Sequence, residues 1–339
     1  MIDVKGLRRL SLAGVFIIFL TLALREIAPG PSSAPDFDGK DRGVEVVIHI
    51  DPGMSGLEIG ELLEEKDVVR SSLAYFRAAV ANPASQRIAP GEHRVQTRIP
   101  AKEAVIQLLD PERIVNLVRV RDGARLSEIS RSLVASGFEE RELKRAIDSI
   151  KPPISFNSKG LEGFLYPAFY SFPKGTTAEE ALLAMINRFE RSTDDLSWQY
   201  RGFTKYELLT IASLVESEGT PDVFAKVARV IYNRLKMGMK LQFDSTVHYV
   251  FNRRGEIALS LQDTRVQNRY NTFLYEGLPP GPIGSPTRAA IEAALKPVEG
   301  DWLYFVTVLP GETRFTSSYD EFLRFKAEYK RNYANGAFE

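Results

Sequence analysis

The segment that most constrains the fold is a run of mainly apolar residues that ends abruptly in two carboxylates. The run extends from Leu208 to Val215, and Glu216 and Glu218 come next, just before Gly219 and Pro221. Glycine and proline at these positions are typical of the end of an α-helix. The segment therefore predicts a helix whose last turn carries acidic side chains in apolar surroundings.

The chemistry of this helix end follows from what apolar surroundings do to a carboxyl group. Thr204 and Glu207 have capping-box spacing and predict the start of the helix. At its other end, apolar neighbours, a second carboxylate and the helix C-terminus all raise the pKa of a carboxyl group. Such a group can act as a general acid, which cleavage of a glycosidic bond requires. Helical spacing does not choose between Glu216 and Glu218, because both fall inside the apolar arc. An ion pair or a surface cap is the alternative for either.

The composition of the 339-residue chain is that of a globular protein of two or three domains, with 44% hydrophobic residues. Its 44 basic residues balance 44 acidic ones, which argues against nucleic acid as a partner and favours an uncharged polymer. There is no cysteine, and only His49, His93 and His248 are present. These counts exclude thiolate catalysis and argue against a zinc site or a Ser-His-Asp triad. We expect neither a metal nor a cofactor.

The N-terminus has the pattern of a membrane anchor. Leu10 to Leu24 is an uncharged apolar run of fifteen residues, preceded by Lys5, Arg8 and Arg9. The basic flank predicts a cytoplasmic tail at 1–9 and an uncleaved signal anchor at 10–25. A removed signal peptide is the alternative, since a spanning helix usually needs about 17–25 residues. Residues 26–44 are rich in Pro, Gly and Ser and predict a flexible tether to a folded body outside the cytoplasm.

Residues 45–200 contain a repeated pattern of strand, glycine turn and helix. One copy starts at Val46–Ile50 and a second, about 70 residues later, at Val118–Val120. Weaker copies begin at Arg98–Pro100 and at Ser171–Gly175. Small βα units of this kind resemble LysM-like modules, which bind the N-acetylglucosamine backbone of wall glycans. A repeated packing unit that binds nothing is the alternative.

Residues 201–335 predict an α+β domain that follows the repeats. A second helix is expected with Pro221 in its first turn and Gly238 as its stop. The segment from Lys240 to Pro286 predicts long loops, where a polar binding cleft is usual. Trp302–Val308 predicts a buried strand, and Leu323–Tyr333 a polar closing helix.

Several short motifs together resemble the endolytic murein transglycosylases of the MltG or YceG-like family. Their order and spacing match that family from about residue 45 to 325. The matching stretches are Leu161–Pro167, Ile211–Glu216, Val230–Leu235, Met239–Val247, Tyr270–Thr272 and Gly277–Ile283.

The resemblance implies a membrane-anchored lyase that faces the periplasm and cuts peptidoglycan strands between N-acetylmuramic acid and N-acetylglucosamine. It makes Glu216 the catalytic acid. It implies that peptidoglycan and the membrane are partners, and cell-wall synthases are candidate partners.

The resemblance also suggests which residues bind the substrate. Gln242 and Asp244 would position it, although helix N-capping is an equal alternative for Asp244. Glu218 and Thr246 are further candidates beside them. Tyr270, Asn271 and Thr272 would offer aromatic, amide and hydroxyl contacts to sugar faces.

The chain departs from the family pattern at Ala168, Ser285, Thr287, Thr313 and Phe322. These changes leave Glu216 in place but support a runner-up interpretation, a wall-binding scaffold without turnover. A muramidase that hydrolyses the same bond is a third interpretation. A pyridoxal-phosphate lyase is disfavoured, because there is no evident phosphate-binding glycine loop.

Overall fold

The computed structural model describes residues 34–51, 53–254 and 259–338. The chain forms two compact units that divide between Val115 and Asn116. The predicted tail at 1–9, the anchor at 10–25 and the first part of the tether lie outside the described residues. None of the helices in the described ranges combines the length and the apolar character needed to cross a bilayer.

The first unit is built on a two-stranded antiparallel sheet with two helices between its strands. Its elements are β1 (Glu45–Ile50), α1 (Gly56–Glu65), α2 (Ser72–Ala81), β2 (Gly91–Gln96) and α3 (Ala101–Leu109). Ile48 lies opposite His93 across the sheet. The helices cover one face of the sheet, and Ile48, Leu63, Tyr75 and Leu108 are buried between them.

The described end of the predicted tether contacts this first unit. The Asp36 carboxylate accepts a hydrogen bond at 3.0 Å from the backbone N–H of Ala101, at the start of α3. Arg42 forms an ion pair with Glu103 at 2.6 Å. The carboxylate of Asp36 satisfies an N–H group that Pro100, at the cap position, cannot satisfy with its own side chain.

The second unit begins with the same order of elements. These are β3 (Leu117–Val120), α4 (Leu126–Ala135), α5 (Glu140–Ser149), β4 (Ala168–Ser171) and α6 (Ala178–Thr193). β3 and β4 pair antiparallel, with Val118 opposite Tyr170. The strong sequence copies form the first strand and helix of each motif, as predicted. The weaker copies lead into the last helix of each motif, but their predicted strands are misplaced: Arg98–Pro100 follows β2, and of Ser171–Gly175 only Ser171 lies in β4. There are therefore two larger motifs rather than four small ones. Their likeness to LysM modules stays a prediction.

The rest of the second unit is mainly helical. It contains α7 (Lys205–Glu218), α8 (Phe224–Lys236), α9 (Asp244–Val250), α10 (Arg288–Leu295), β5 (Tyr304–Leu309), β6 (Glu312–Thr316) and α11 (Tyr319–Ala334). α7 packs against α8, α9 and α10, and one apolar core runs from β3 to α10. The mixture of helices with small separate sheets is the α+β class that the sequence predicts.

Two details of this region differ from the sequence predictions. Pro221 lies before α8 rather than in its first turn, because Val223 N–H bonds Thr220 O at 2.9 Å and forms a turn between the helices. β5 is a strand as predicted, but only Val308 in it is fully buried. A two-stranded sheet leaves much of its surface uncovered. The predicted domain boundary between residues 200 and 201 differs from the division at 115 and stays a prediction.

Candidate active site

Helix α7 carries Glu216 in its last turn. Thr204 and Glu207 form the predicted capping box at its start, and Gly219 is its C-cap residue. All eight residues from Leu208 to Val215 are buried, whereas Glu216 is half-buried. The helix is therefore held in the core along most of its length, and its acidic end emerges at the edge of the core.

Glu216 is held by the start of helix α10. Thr287, the N-cap residue of α10, donates its backbone N–H at 2.9 Å and its hydroxyl at 2.6 Å to Glu216 Oε2. On another side, a Cβ built on Gly123 would lie 3.4 Å from Glu216 Cγ. Gly123 belongs to the turn between β3 and α4 and has a φ of +66°, which glycine adopts without strain. Three segments that are distant in sequence thus meet at this carboxyl group.

The pKa of Glu216 is raised above its ordinary value. Burial is the largest cause, because it penalises the anion, and the nearby charge of Asp122 also raises the pKa. The two hydrogen bonds from Thr287 lower it, because they favour the anion. Glu216 Oε2 accepts both bonds, so Oε1 is the oxygen left to carry a proton toward a ligand.

Glu218 points to a different neighbour. Its carboxylate accepts a short hydrogen bond from the Ser245 hydroxyl on α9. Burial raises the pKa of Glu218 to about 7, and the charge of Asp244 adds to this. Residues two apart on a helix do not face each other. Asp122, rather than Glu218, is therefore the carboxylate that repels the anion of Glu216.

A third acidic residue, Glu162, was not singled out from the sequence, although it lies in the Leu161–Pro167 motif. It accepts hydrogen bonds at 3.0 Å from Leu126 N–H and from the Tyr249 hydroxyl. Burial raises the pKa of Glu162 to about 7. Glu162 thus accepts from the first residue of α4. This bond links the Leu161–Pro167 motif to the turn between β3 and α4, which lies beside Glu216.

Gln242 and Asp244 lie at the surface near α9. Gln242 is exposed and has a φ of +51°, and its backbone N–H donates to Thr272 O at 3.1 Å. Asp244 is exposed and is the first residue of α9, while Phe243 occupies the cap position. The alternative role of Asp244 as an N-cap is therefore wrong. Their role in substrate positioning stays a prediction.

Thr246, Asn271 and Thr272 are fully buried. The hydroxyls of Thr246 and Thr272 lie 2.9 Å apart, and Thr272 accepts from Phe243 N–H at 3.0 Å. The Asn271 amide donates to the carbonyl oxygens of Thr264 and Val266. These bonds hold the loops around α9. Substrate contact by the three residues stays untested, and the geometry gives them a supporting role.

Tyr270 is half-buried and packs on the ring of Tyr249, with centroids 4.8 Å apart. Since Tyr249 bonds Glu162, this aromatic pair joins the 270–272 motif to the Glu162 motif. Burial raises the pKa of Tyr270 to about 12, so its hydroxyl stays protonated.

The five residues that depart from the family pattern lie in different parts of the second unit, and only Thr287 bonds Glu216. Thr287 contacts Glu216 directly, and Ser285 pairs through its backbone with Gly123 and Ala124. Ala168 starts β4 opposite Val120. Thr313 lies in β6, and Phe322 stacks on Tyr304 with centroids 5.0 Å apart.

A groove of about 750 Å³ begins beside the turn that contacts Glu216. It runs between β3 and α4, and its lining includes Asp122 and Ala124, the two neighbours of Gly123, but not Glu216 itself. In the part of the chain that the structure describes, no cluster of three or more histidine, aspartate or glutamate side chains is placed to hold a metal ion.

Comparisons of the chain with a family model, with curated proteins and with solved structures all lead to the same family. The model of the YceG-like family matches residues 48–328. An endolytic murein transglycosylase from Bacillus subtilis is 31% identical over 317 residues, which cover 86% of each chain. One from Streptococcus pneumoniae is 29% identical over 86% of this chain, but the chain spans only 59% of that relative.

A solved structure is also similar. The crystal structure of a putative YceG-like protein from Listeria monocytogenes has a TM-score of 0.56 and 26% sequence identity, and the match covers 83% of this chain and 98% of the other. The family match covers far more than half of the sequence and includes every motif around Glu216. The chain therefore belongs to the YceG-like family.

Proposed function

We propose that the protein is a peptidoglycan lytic transglycosylase, a lyase that cuts within glycan strands with Glu216 as its catalytic acid. The observation that carries the proposal is a half-buried carboxyl group with a raised pKa at the end of a buried helix, fixed on one oxygen by Thr287. The relatives named endolytic murein transglycosylases support the substrate and the reaction class.

The reaction breaks the bond between N-acetylmuramic acid and N-acetylglucosamine. Protonated Glu216 donates its proton to the glycosidic oxygen while the bond to C1 breaks through an oxocarbenium-like transition state. The anion then takes the proton from the C6 hydroxyl of the muramic acid as its oxygen bonds C1. The product is a 1,6-anhydro ring, and no water is consumed.

The neighbours of Glu216 suit both steps of this reaction. Burial and the Asp122 charge keep the proton on the acid before the first step. The N–H and hydroxyl of Thr287 stabilise the anion between the steps, because both donate to the same oxygen. One carboxyl group can therefore serve as acid and then as base.

The site is proposed to act outside the cytoplasm, with the protein held in the membrane by residues 10–25. The apolar run from Leu10 to Leu24 and its basic flank support this placement. Fractionation of cells should find the full chain with membranes, resistant to washing with high salt. Recovery of the full chain in the soluble fraction would contradict the anchor.

The product of the reaction tests the proposed function. We expect wild-type protein incubated with purified peptidoglycan to release fragments with 1,6-anhydromuramic ends, detected by mass spectrometry, and internal cuts should give a broad range of fragment lengths. Reducing ends would indicate a hydrolase instead, and no cleavage would indicate a wall-binding scaffold.

A pair of substitutions tests the choice between the two carboxylates. Glu216→Gln should lower the rate at least about a hundredfold, because general acid catalysis contributes about that much or more. Glu218→Gln should lose much less, because its amide oxygen can still accept from Ser245. A larger loss in Glu218→Gln than in Glu216→Gln would move the assignment to Glu218.

A further inference from the structure

The groove beside Glu216 is positively charged, although the whole chain is neutral. It lies between β3 and α4, and its ionic lining residues are Arg119, Arg121, Asp122, Glu128, Arg131 and Arg254. Four guanidinium groups therefore face two carboxylates. We call this lining the basic groove.

Two of these six ionic groups neutralise each other. Arg254 pairs with Glu128 at 2.8 Å. Arg119 lies over the Phe169 ring at 5.5 Å, which leaves its N–H groups available. Among the described residues, the side chains of Arg121 and Arg131 have no hydrogen-bond or ion-pair partner. The remaining charged groups of the lining are three arginines, Arg119, Arg121 and Arg131, and one carboxylate, Asp122.

The basic groove adjoins the candidate catalytic acid. Asp122 lines the groove, and a Cβ built on the adjacent Gly123 would lie 3.4 Å from Glu216 Cγ. Arg254 Nη2 donates to Gly123 O at 2.6 Å, so the basic lining and the catalytic turn are held together. A ligand that places a sugar at Glu216 would therefore bring its nearest substituents to the groove.

We propose that the basic groove binds the carboxylates of the peptide stems that peptidoglycan strands carry on muramic acid. This inference rests on the proposed function, and it makes the stem peptide part of the recognised substrate. The sugars of a strand are uncharged, so they give no reason for an excess of arginine. Arginine binds carboxylates through paired N–H groups, and about 750 Å³ can hold a short peptide.

The test compares glycan strands with stems to the same strands stripped by an amidase. The amidase leaves a free lactyl carboxylate on each muramic acid, and this carboxylate is converted to an amide before the assay. Both substrates then have free reducing ends and carry no lipid diphosphate, so the stems are the only difference. The measured quantity is the ratio of kcat/KM with stems to kcat/KM without stems, for the full-length chain. In the double variant Arg121→Ala with Arg131→Ala we expect this ratio to fall about tenfold at low salt, and less at high salt.

A matched control is available on α5. Arg141 and Arg145 are exposed arginines of the same unit and do not line the groove. Their double alanine variant makes the same change of net charge and should keep the wild-type ratio. The proposal is overturned if the groove variant keeps that ratio as well, or if the control lowers it equally.

A binding measurement separates this proposal from the proposed function. Fluorescence anisotropy of labelled strands on a Glu216→Gln background gives the affinity for each strand type without cleavage. If wild type cuts neither strand, the proposed function fails, yet the basic groove still predicts tighter binding of strands with stems. Equal affinity for both strand types would refute the groove proposal even if the enzyme is active.

Discussion

At the scale of single residues, Thr287 is the neighbour that sets the properties of Glu216. Its hydroxyl donates to Glu216 and also accepts from Ala290 N–H at 3.3 Å as the cap of α10. Burial and Thr287 act in opposite directions on the pKa of Glu216. A small change at residue 287 should therefore move the pH at which the acid loses its proton.

We predict that Thr287→Val raises the pKa of Glu216. The variant removes the hydroxyl that favours the anion and keeps the backbone N–H, so the alkaline limb of the pH-activity profile should move up by roughly one pH unit. The lost cap should also cost about 1 kcal/mol of unfolding free energy. Thr287→Ser keeps both bonds and should match wild type. An unmoved alkaline limb in Thr287→Val would show that the hydroxyl does not tune the acid.

At the scale of elements, the turn that carries Glu162 and the loop before α10 pack closely. Gly163 has a φ of +89°, and a Cβ built on it would lie 2.8 Å from the ring of Pro282. Gly175 has a similar φ of +94°, but its added Cβ would meet no atom within 4 Å. The two glycines therefore separate backbone strain from a steric clash.

We predict that Gly163→Ala is more damaging than Gly175→Ala. Both variants suffer the strain of an alanine at positive φ, but only the first must push two motifs apart. The extra cost should be about 1–3 kcal/mol of unfolding free energy, measured by urea denaturation. The displaced loop should also lower kcat, since it leads to Thr287. Equal costs for the two variants would mean that Pro282 moves without penalty.

At the scale of the whole molecule, the second unit contains two half-buried carboxyl groups, Glu162 and Glu218, whose pKa is raised to about 7. Their ordinary value is 4.5, so the folded state binds these protons more tightly than the unfolded state. Their contribution to stability is complete below pH 4.5 and is lost as the pH rises through 7.

The double variant Glu162→Gln with Glu218→Gln should remove this pH dependence. Relative to the variant, wild type should lose on the order of 5 kcal/mol of unfolding free energy between pH 5 and pH 8, about half from each group. Chemical denaturation at the two pH values measures the difference. Glu299→Gln, at an exposed residue, serves as the control and should leave the pH dependence of wild type unchanged. A wild-type loss that persists in the double variant would assign it to other groups.

Local patterns explain why much of the fold was predictable. The start and end of α7, the first strand and helix of each repeated motif, and the strand and helix near the C-terminus depend on caps, glycines and apolar spacing within a few residues. The same patterns misplaced Pro221 relative to α8, because the turn before that helix depends on a hydrogen bond to Thr220.

The sequence by itself determined the buried helix with its acidic end, the α+β class and, through its motifs, the family. Only the tertiary structure decided which groups surround Glu216. Thr287 is 71 residues from it in sequence, and Ser245 is 27 residues from Glu218. The pKa of a carboxyl group depends on burial, charges and donors within a few ångströms, and long loops bring those together in ways that local spacing does not encode.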